Sequence, residues 1–155
     1  MGTNMHPVAF YAETSNSIGY LTRMAFRAFT RSLERRTLPY GVTAGQWRFL
    51  RALWAEDGVT QRELSRRAGL NEPAAVAAIN GMEKKGLVRR EQSRTDRRRV
   101  HIHLTQKARA LEPQLLPHVA AVNELAVRDM SPERVALLRE LLAQVTRNLA
   151  DDLPE

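Results

Sequence analysis

The 155-residue sequence contains no cysteine. That excludes disulfide scaffolds, cysteine-ligated zinc or iron–sulfur sites, thiol nucleophiles and thiol redox sensing. Aromatic residues are scarce, at 6%, and lysine supplies only 3 of the 24 basic residues, the rest being arginine. No apolar run approaches the ~20 residues of a membrane span. No charged-then-apolar leader opens the chain, so secretion is not expected and a cytoplasmic location is. A glycine-rich phosphate loop is missing, as is a nucleophile in a recognisable motif, so neither an enzyme nor a cofactor is expected. His101 and His103 share one face of a candidate strand, but two imidazoles are too few for zinc. His6 and His118 are isolated.

What the chain does have is positive charge, a net +7 with a pI near 10.7. It is concentrated. The sixteen residues Lys84–Arg99 hold eight of the 24 basic and two of the 17 acidic residues, a net of +6. The rest of the chain, 16 basic against 15 acidic, carries only +1. A solvated loop is the plain alternative, but a cluster this dense suits an acidic polymer. Arginine also favours bidentate phosphate and groove contacts.

Residues 1–13 show no clear period, and Met1–Met5 reads as a flexible start. From about Thr14 to Leu38, Ile18, Leu21, Ala25, Phe29 and Leu33 recur at helical spacing, stopped by Pro39 and Gly41. A second helix opens with a capping box at Thr43 and Gln46, presents Trp47, Leu50, Leu53 and Trp54, and ends at Asp57-Gly58. Thr60 and Glu63 make a second box opening a short third helix, which Gly69 breaks. Asn71 caps a fourth helix with Val76, Ile79 and Met82 inward, and Gly86 closes it. Leu87–Glu91 and Val100–Leu104 are candidate strands. In the second, Val100, Ile102 and Leu104 face the core and the histidines face out. Thr105 opens a long helix to about Asp129, with Ala108, Leu111, Leu115, Val119 and Val122 on one side. Pro113 and Pro117 are expected to bend or interrupt it. Ser131-Pro132 starts the last helix. There Val135, Leu138, Leu142, Val145 and Leu149 form an a/d seam, which must bury against the N-terminal helix or against a second chain.

The fold expected is mainly α with a small β-hairpin wing. A unit at 43–105 is flanked by an N-terminal helix at 14–42 and two C-terminal helices at 106–152. Helix, short helix, glycine turn, helix and hairpin have the lengths of a winged helix-turn-helix. Its second helix enters the major groove of double-stranded DNA. The candidates to meet bases are Asn71, Glu72, Ala74, Ala75 and Ala78, with the alanines available to thymine methyls and Asn80 to bases or phosphate. Thr60, Gln61 and Lys84 join the DNA-facing set. The hairpin brings Arg94, Asp96, Arg97, Arg98 and Arg99 beside the neighbouring minor groove. Gly45 and Gly81 within the second and fourth helices have no evident reason.

These residues resemble the MarR family of winged-helix transcription regulators. The resemblance rests on Thr43-x-x-Gln46-Trp47, Thr60-Gln61-x-Glu63-Leu64, the segment Met82 to Val88, and the run from Asp96 to Thr105, which reads DRRRVHIHLT. It implies that Asp96 bonds to and orients the wing tip. It implies that Arg98 enters the minor groove, supported by Arg94, Arg97 and Arg99 on phosphates. It implies a homodimer whose N- and C-terminal helices interleave, with Ile18, Leu21, Val135, Leu138, Leu142, Val145 and Leu149 at the interface. Two recognition helices would then read a pseudo-palindrome, and a small, frequently aromatic effector would release a repressor from it. The effector candidates are Tyr11, Tyr20, Arg23, Met24, Arg27 and Trp47, although Trp47, Met24 and Phe26 also read as ordinary core. The first helix lacks the tryptophan of the urate-binding branch, and the missing cysteine excludes the peroxide-sensing one. An architectural DNA-binding protein and a winged-helix protein-interaction module are the alternative functions.

Overall fold

The computed structural model describes residues 7–150 and 152; Met1–Met5 and His6 lie outside the described residues. Seven helices and a two-stranded hairpin follow in the order α1 (Pro7–Ala12), α2 (Ile18–Thr37), α3 (Ala44–Ala55), α4 (Gln61–Ala68), α5 (Glu72–Lys84), β1 (Val88–Gln92), β2 (Val100–Leu104), α6 (Gln106–Ala126) and α7 (Pro132–Ala150). None of the described helices is long and apolar enough to cross a membrane.

Local chemistry sets most of the boundaries. The first long helix starts at Ile18, not Thr14, because the Ser17 hydroxyl accepts from Tyr20 N and caps it there. Thr14–Asn16 is a 3₁₀ turn instead, and the helix α1 before it was not expected. The Thr43 box closes in both directions. At Thr60 only half of the box forms: the hydroxyl accepts from Glu63 N, while the Glu63 carboxylate turns to Arg66 and Arg67. Gly69 ends α4 in the left-handed region at φ 66°, and Leu70 N donates to Ser65 O at 3.1 Å. Pro113 and Pro117 sit inside an unbroken α6. Each removes one backbone donor, yet Leu111 and Leu115 on either side of Pro113 are buried, and that packing carries the helix across.

The chain divides into two units after Ala120. In the first, one apolar core joins Phe49, Leu50 and Leu53 of α3, Leu64 of α4, Ile79 and Met82 of α5, Ile102 and Leu104 of β2, and Ala108, Leu111 and Leu115 of α6. The hairpin is antiparallel, with Val88 opposite Leu104 and Gln92 opposite Val100. On the other edge of β2, Ile102 N donates to Val59 O, Gly58 N donates to Ile102 O, and Thr60 bridges His101. The residues before α4 thus act as a third, very short strand. This seats the two histidines, which are half-buried and not turned out to solvent as expected. His101 Nδ1 lies 2.8 Å from Gly58 O, and the His103 ring packs over Gly58. In the second unit, Leu138, Leu142 and Leu149 of α7 are exposed, and Val135 and Val145 are half-buried. Ile18 and Leu21 of α2 are exposed as well.

Neither unexplained helical glycine is needed for space. A Cβ on Gly81 meets only Gln46 Nε2, at 3.5 Å, and one on Gly45 only Thr43 Oγ1, at 3.8 Å. Gly81→Ala is therefore expected to raise unfolding stability by about 0.5–1 kcal/mol in urea titrations. Gly69→Ala, at a positive φ, is expected to lower it by about 1–2 kcal/mol.

Candidate nucleic-acid interface

The core decides which face of α5 is free. Ala75, Ile79 and Met82 are fully buried at 0% exposure, and Ala78 packs against the same core. Val76, expected to point inward, is 37% exposed. Two of the alanines expected at base edges, Ala75 and Ala78, therefore face the wrong way. The stripe 75–79–82 follows the 3.6-residue period better than 76–79–82. The outward face carries Pro73, Val76, Ala77, Asn80 and Lys84, with Glu72 and Ala74 exposed at the first turn. Asn71 is exposed, but its Oδ1 accepts from Ala74 N at 3.0 Å as the helix cap.

The wing tip is a network of short-range bonds around Asp96. Its Oδ1 accepts from Arg98 N at 3.0 Å, its carbonyl from Arg99 N at 2.9 Å, and its Oδ2 lies 3.4 Å from Arg99 Nε. Ser93 Oγ accepts from Asp96 N, and Gln92 Nε2 donates to Arg97 O. The turn is thus held from inside, and its arginine side chains point outward. Arg97 and Arg98 side chains have no hydrogen bond or ion pair among the described residues, and Arg94 is exposed. A cleft of about 540 Å³ joins this tip to the helices, lined by Thr60, Gln61, Arg62, Ser65, Glu72, Asp96, Arg98 and Arg99.

Two of these residues escaped the sequence reading. Arg62 is exposed in the cleft, and Ser65 is buried beneath it, donating to Gln61 O at 2.8 Å. A basic residue in the first turn of the first helix of the pair was the available signal for Arg62. Arg66 and Arg67 look equivalent in sequence but are not. Their guanidiniums bond Glu63 at 2.6–2.9 Å, and Arg67 also bonds Glu56. Lys85 is also committed, donating to Gly41 O and Gln46 Oε1, whereas Lys84 stays exposed.

The expected effector residues do not form one site. Trp47 is core, 5% exposed and packed edge-on against Trp54. Met24 and Phe26 are exposed in this chain and so are not core. Tyr11 and Arg27 are exposed, and Arg23 meets Tyr20, with the guanidinium 5.5 Å from the ring centre. Among the described residues no cluster of three or more His, Asp or Glu is placed to hold a metal ion.

The arginine pair holds the Glu63 carboxyl down to about 2 from 4.5, chiefly through the bonds from Arg66 and then Arg67. A depressed native pKa stabilises the fold above the unfolded value. That contribution is lost as pH falls from about 4.5 through 2. Acid unfolding of the wild type is therefore expected to steepen in that window, and Glu63→Gln to remove that component. Equal acid profiles by circular dichroism would contradict it.

Comparison with known proteins agrees with this geometry. Residues 40–99 match the model of the MarR family. The regulator TtmR of Methylorubrum extorquens is 33% identical over 119 residues, which is 76% of this chain and 60% of TtmR. The regulator MgrA of Staphylococcus aureus is 30% identical over 106 residues, 68% of this chain and 71% of MgrA. A mutant of MarR from E. coli, solved in complex with operator DNA, superposes with a TM-score of 0.77 at 25% identity, covering 83% of this chain and 92% of that one. With the helix order, the hairpin and these relatives together, the chain belongs to the MarR family of winged-helix transcriptional regulators.

Proposed function

We propose that this protein is a homodimeric, sequence-specific DNA-binding repressor. The observation that carries the reading is the placement of Arg98. Its backbone is pinned by Asp96, its side chain is unpaired, and it shares a cleft with the opening of α4 and the first turn of α5. A free cation on a rigid turn next to a helix whose outward face carries small residues together with Asn80 and Lys84 suits one task. The helix sits in the major groove while the arginine reaches the adjacent minor groove. Arg62, Arg97 and Lys84 supply further phosphate contacts. The relatives that match are transcriptional regulators, and one similar structure holds operator DNA.

Dimerisation is supported by the apolar residues left exposed on α2 and α7, Ile18, Leu21, Leu138, Leu142 and Leu149. A twofold dimer presents two α5 helices to half-sites about one helical turn apart. Release by a small acidic ligand requires that ligand to prefer one arrangement of the two reading heads. The Arg23–Tyr20 pair is the part of the candidate set with the chemistry to hold it.

Selection of randomised duplexes is expected to enrich an inverted repeat with half-sites about ten base pairs apart. On that repeat Arg98→Ala is expected to weaken binding at least tenfold (~1.4 kcal/mol) with the oligomeric state unchanged. It should also flatten the plot of log K against log salt by about 0.9 for each phosphate that the variant no longer neutralises. A folded Arg98→Ala protein of unchanged affinity would falsify the wing assignment. Salt-dependent binding with no preferred sequence would favour an architectural role.

A further inference from the structure

Arg90 reaches from β1 to both helices of the pair. Its Nη2 donates to Asn80 Oδ1 at 2.6 Å, its Nη1 to the Glu83 carboxylate, and its Nε to Gln61 Oε1 at 3.5 Å. A guanidinium has donors only, so every atom facing it must be an oxygen. That requirement settles the rotation of two amides. Asn80 Nδ2 and Gln61 Nε2 are turned away from Arg90, and neither has a hydrogen-bond partner among the described residues. Glu83 pairs with Arg90, so the guanidinium is not itself a free phosphate ligand. Asn80 lies opposite the buried Ala75, Ile79 and Met82, in the middle of the outward face of α5.

We propose that Arg90 is a positioning residue that makes Asn80 a dedicated donor to a hydrogen-bond acceptor on duplex DNA, a phosphate oxygen or a purine N7. The inference rests on the DNA-binding reading above. An unconstrained asparagine pairs with adenine by offering its oxygen and nitrogen side by side to one base edge. Here the oxygen is directed at Arg90, and only the amide N–H groups face out. Asn80 then recognises acceptors, and Arg90 contributes to recognition without touching DNA.

The test uses the selected duplex with single-atom substitutions. Methylphosphonate linkages remove a charged phosphate acceptor, and 7-deazapurines remove N7. For the wild type, one such substitution at a fixed place in each half-site is expected to weaken binding roughly five- to tenfold. That sensitivity is expected to vanish in Asn80→Ala, an exposed substitution that leaves the core intact. It is expected to vanish also in Arg90→Ala, while sensitivity at all other places persists. General misfolding would weaken binding at every place alike. Sensitivity at a methylphosphonate identifies a phosphate partner, and sensitivity at a 7-deazapurine identifies a base; either supports the inference. Asn80→Asp, which exchanges both donors for a negative charge, is expected to bind no better than Asn80→Ala. Wild-type-like binding by Asn80→Asp, or sensitivity that survives in either alanine variant, overturns the inference and leaves the DNA-binding reading standing. Failure of the wild type to bind any duplex removes both.

Discussion

The whole candidate nucleic-acid interface depends on how α5 is rotated about its own axis. Ile79 and Met82 are buried with Phe49, Leu50, Leu53 and Leu64 in one core. Each such side chain contributes about 1.5–3 kcal/mol when removed from water. Turning the helix by one residue, about 100°, would carry one of them toward solvent and bring the larger Val76 to where Ala75 now sits fully buried. The burial of three side chains therefore chooses which five residues face outward. The two reading elements share that core, because Ile102 and Leu104 of β2 and Leu64 of α4 belong to it as well. Wing and helices are thus held in one register by apolar packing, and polar chemistry is left to the rim.

At the rim, the excess of arginine does not convert directly into free charge. Glu63 holds Arg66 and Arg67, Glu83 holds Arg90, Glu91 holds Arg89, and Asp57 holds Arg109. These pairs range from half-buried to exposed, and each contributes modestly to stability. Their effect is selection among cations. Arg62, Arg97 and Arg98 remain unpaired among the described residues, and they lie on or beside the cleft between wing and helices. The basic run of Lys84–Arg99 is therefore two populations. Lys85, Arg89 and Arg90 build the hairpin and its junction with the helices, and the arginines past Ser93 face outward.

The same division separates what was legible in the sequence from what was not. Many helix starts and stops were legible where a single short-range interaction decides them, as at the Thr43 box, the Asn71 cap, and the glycines at positions 41, 58, 69 and 86, all at positive φ, although the Ser17 cap was missed. The alternation in Val100–Leu104 placed its apolar residues correctly, since a strand has only two faces. The histidines were misplaced because their partner, Gly58, is more than forty residues away. The prolines of α6 do not interrupt it for a related reason: their local cost is real, but burial of Leu111 and Leu115 on a distant core outweighs it.

By itself the sequence determined the element order from the first long helix onward and the winged-helix class, and its charge pointed to an acidic polymer as partner. Each of these follows from spacing, capping or composition within a few residues. Tertiary structure alone decided that Ala75 turns in and Val76 out, that Arg66 and Arg67 are paired while Arg62 is not, and that Arg90 orients Asn80. Most of those outcomes depend on groups ten or more residues apart, Arg67 with Glu56 and Arg90 with Asn80 and Gln61, and the rest on which nearby arginines the Glu63 carboxylate takes. Competition for one buried volume and a few carboxylates settles them, and no local pattern encodes that competition.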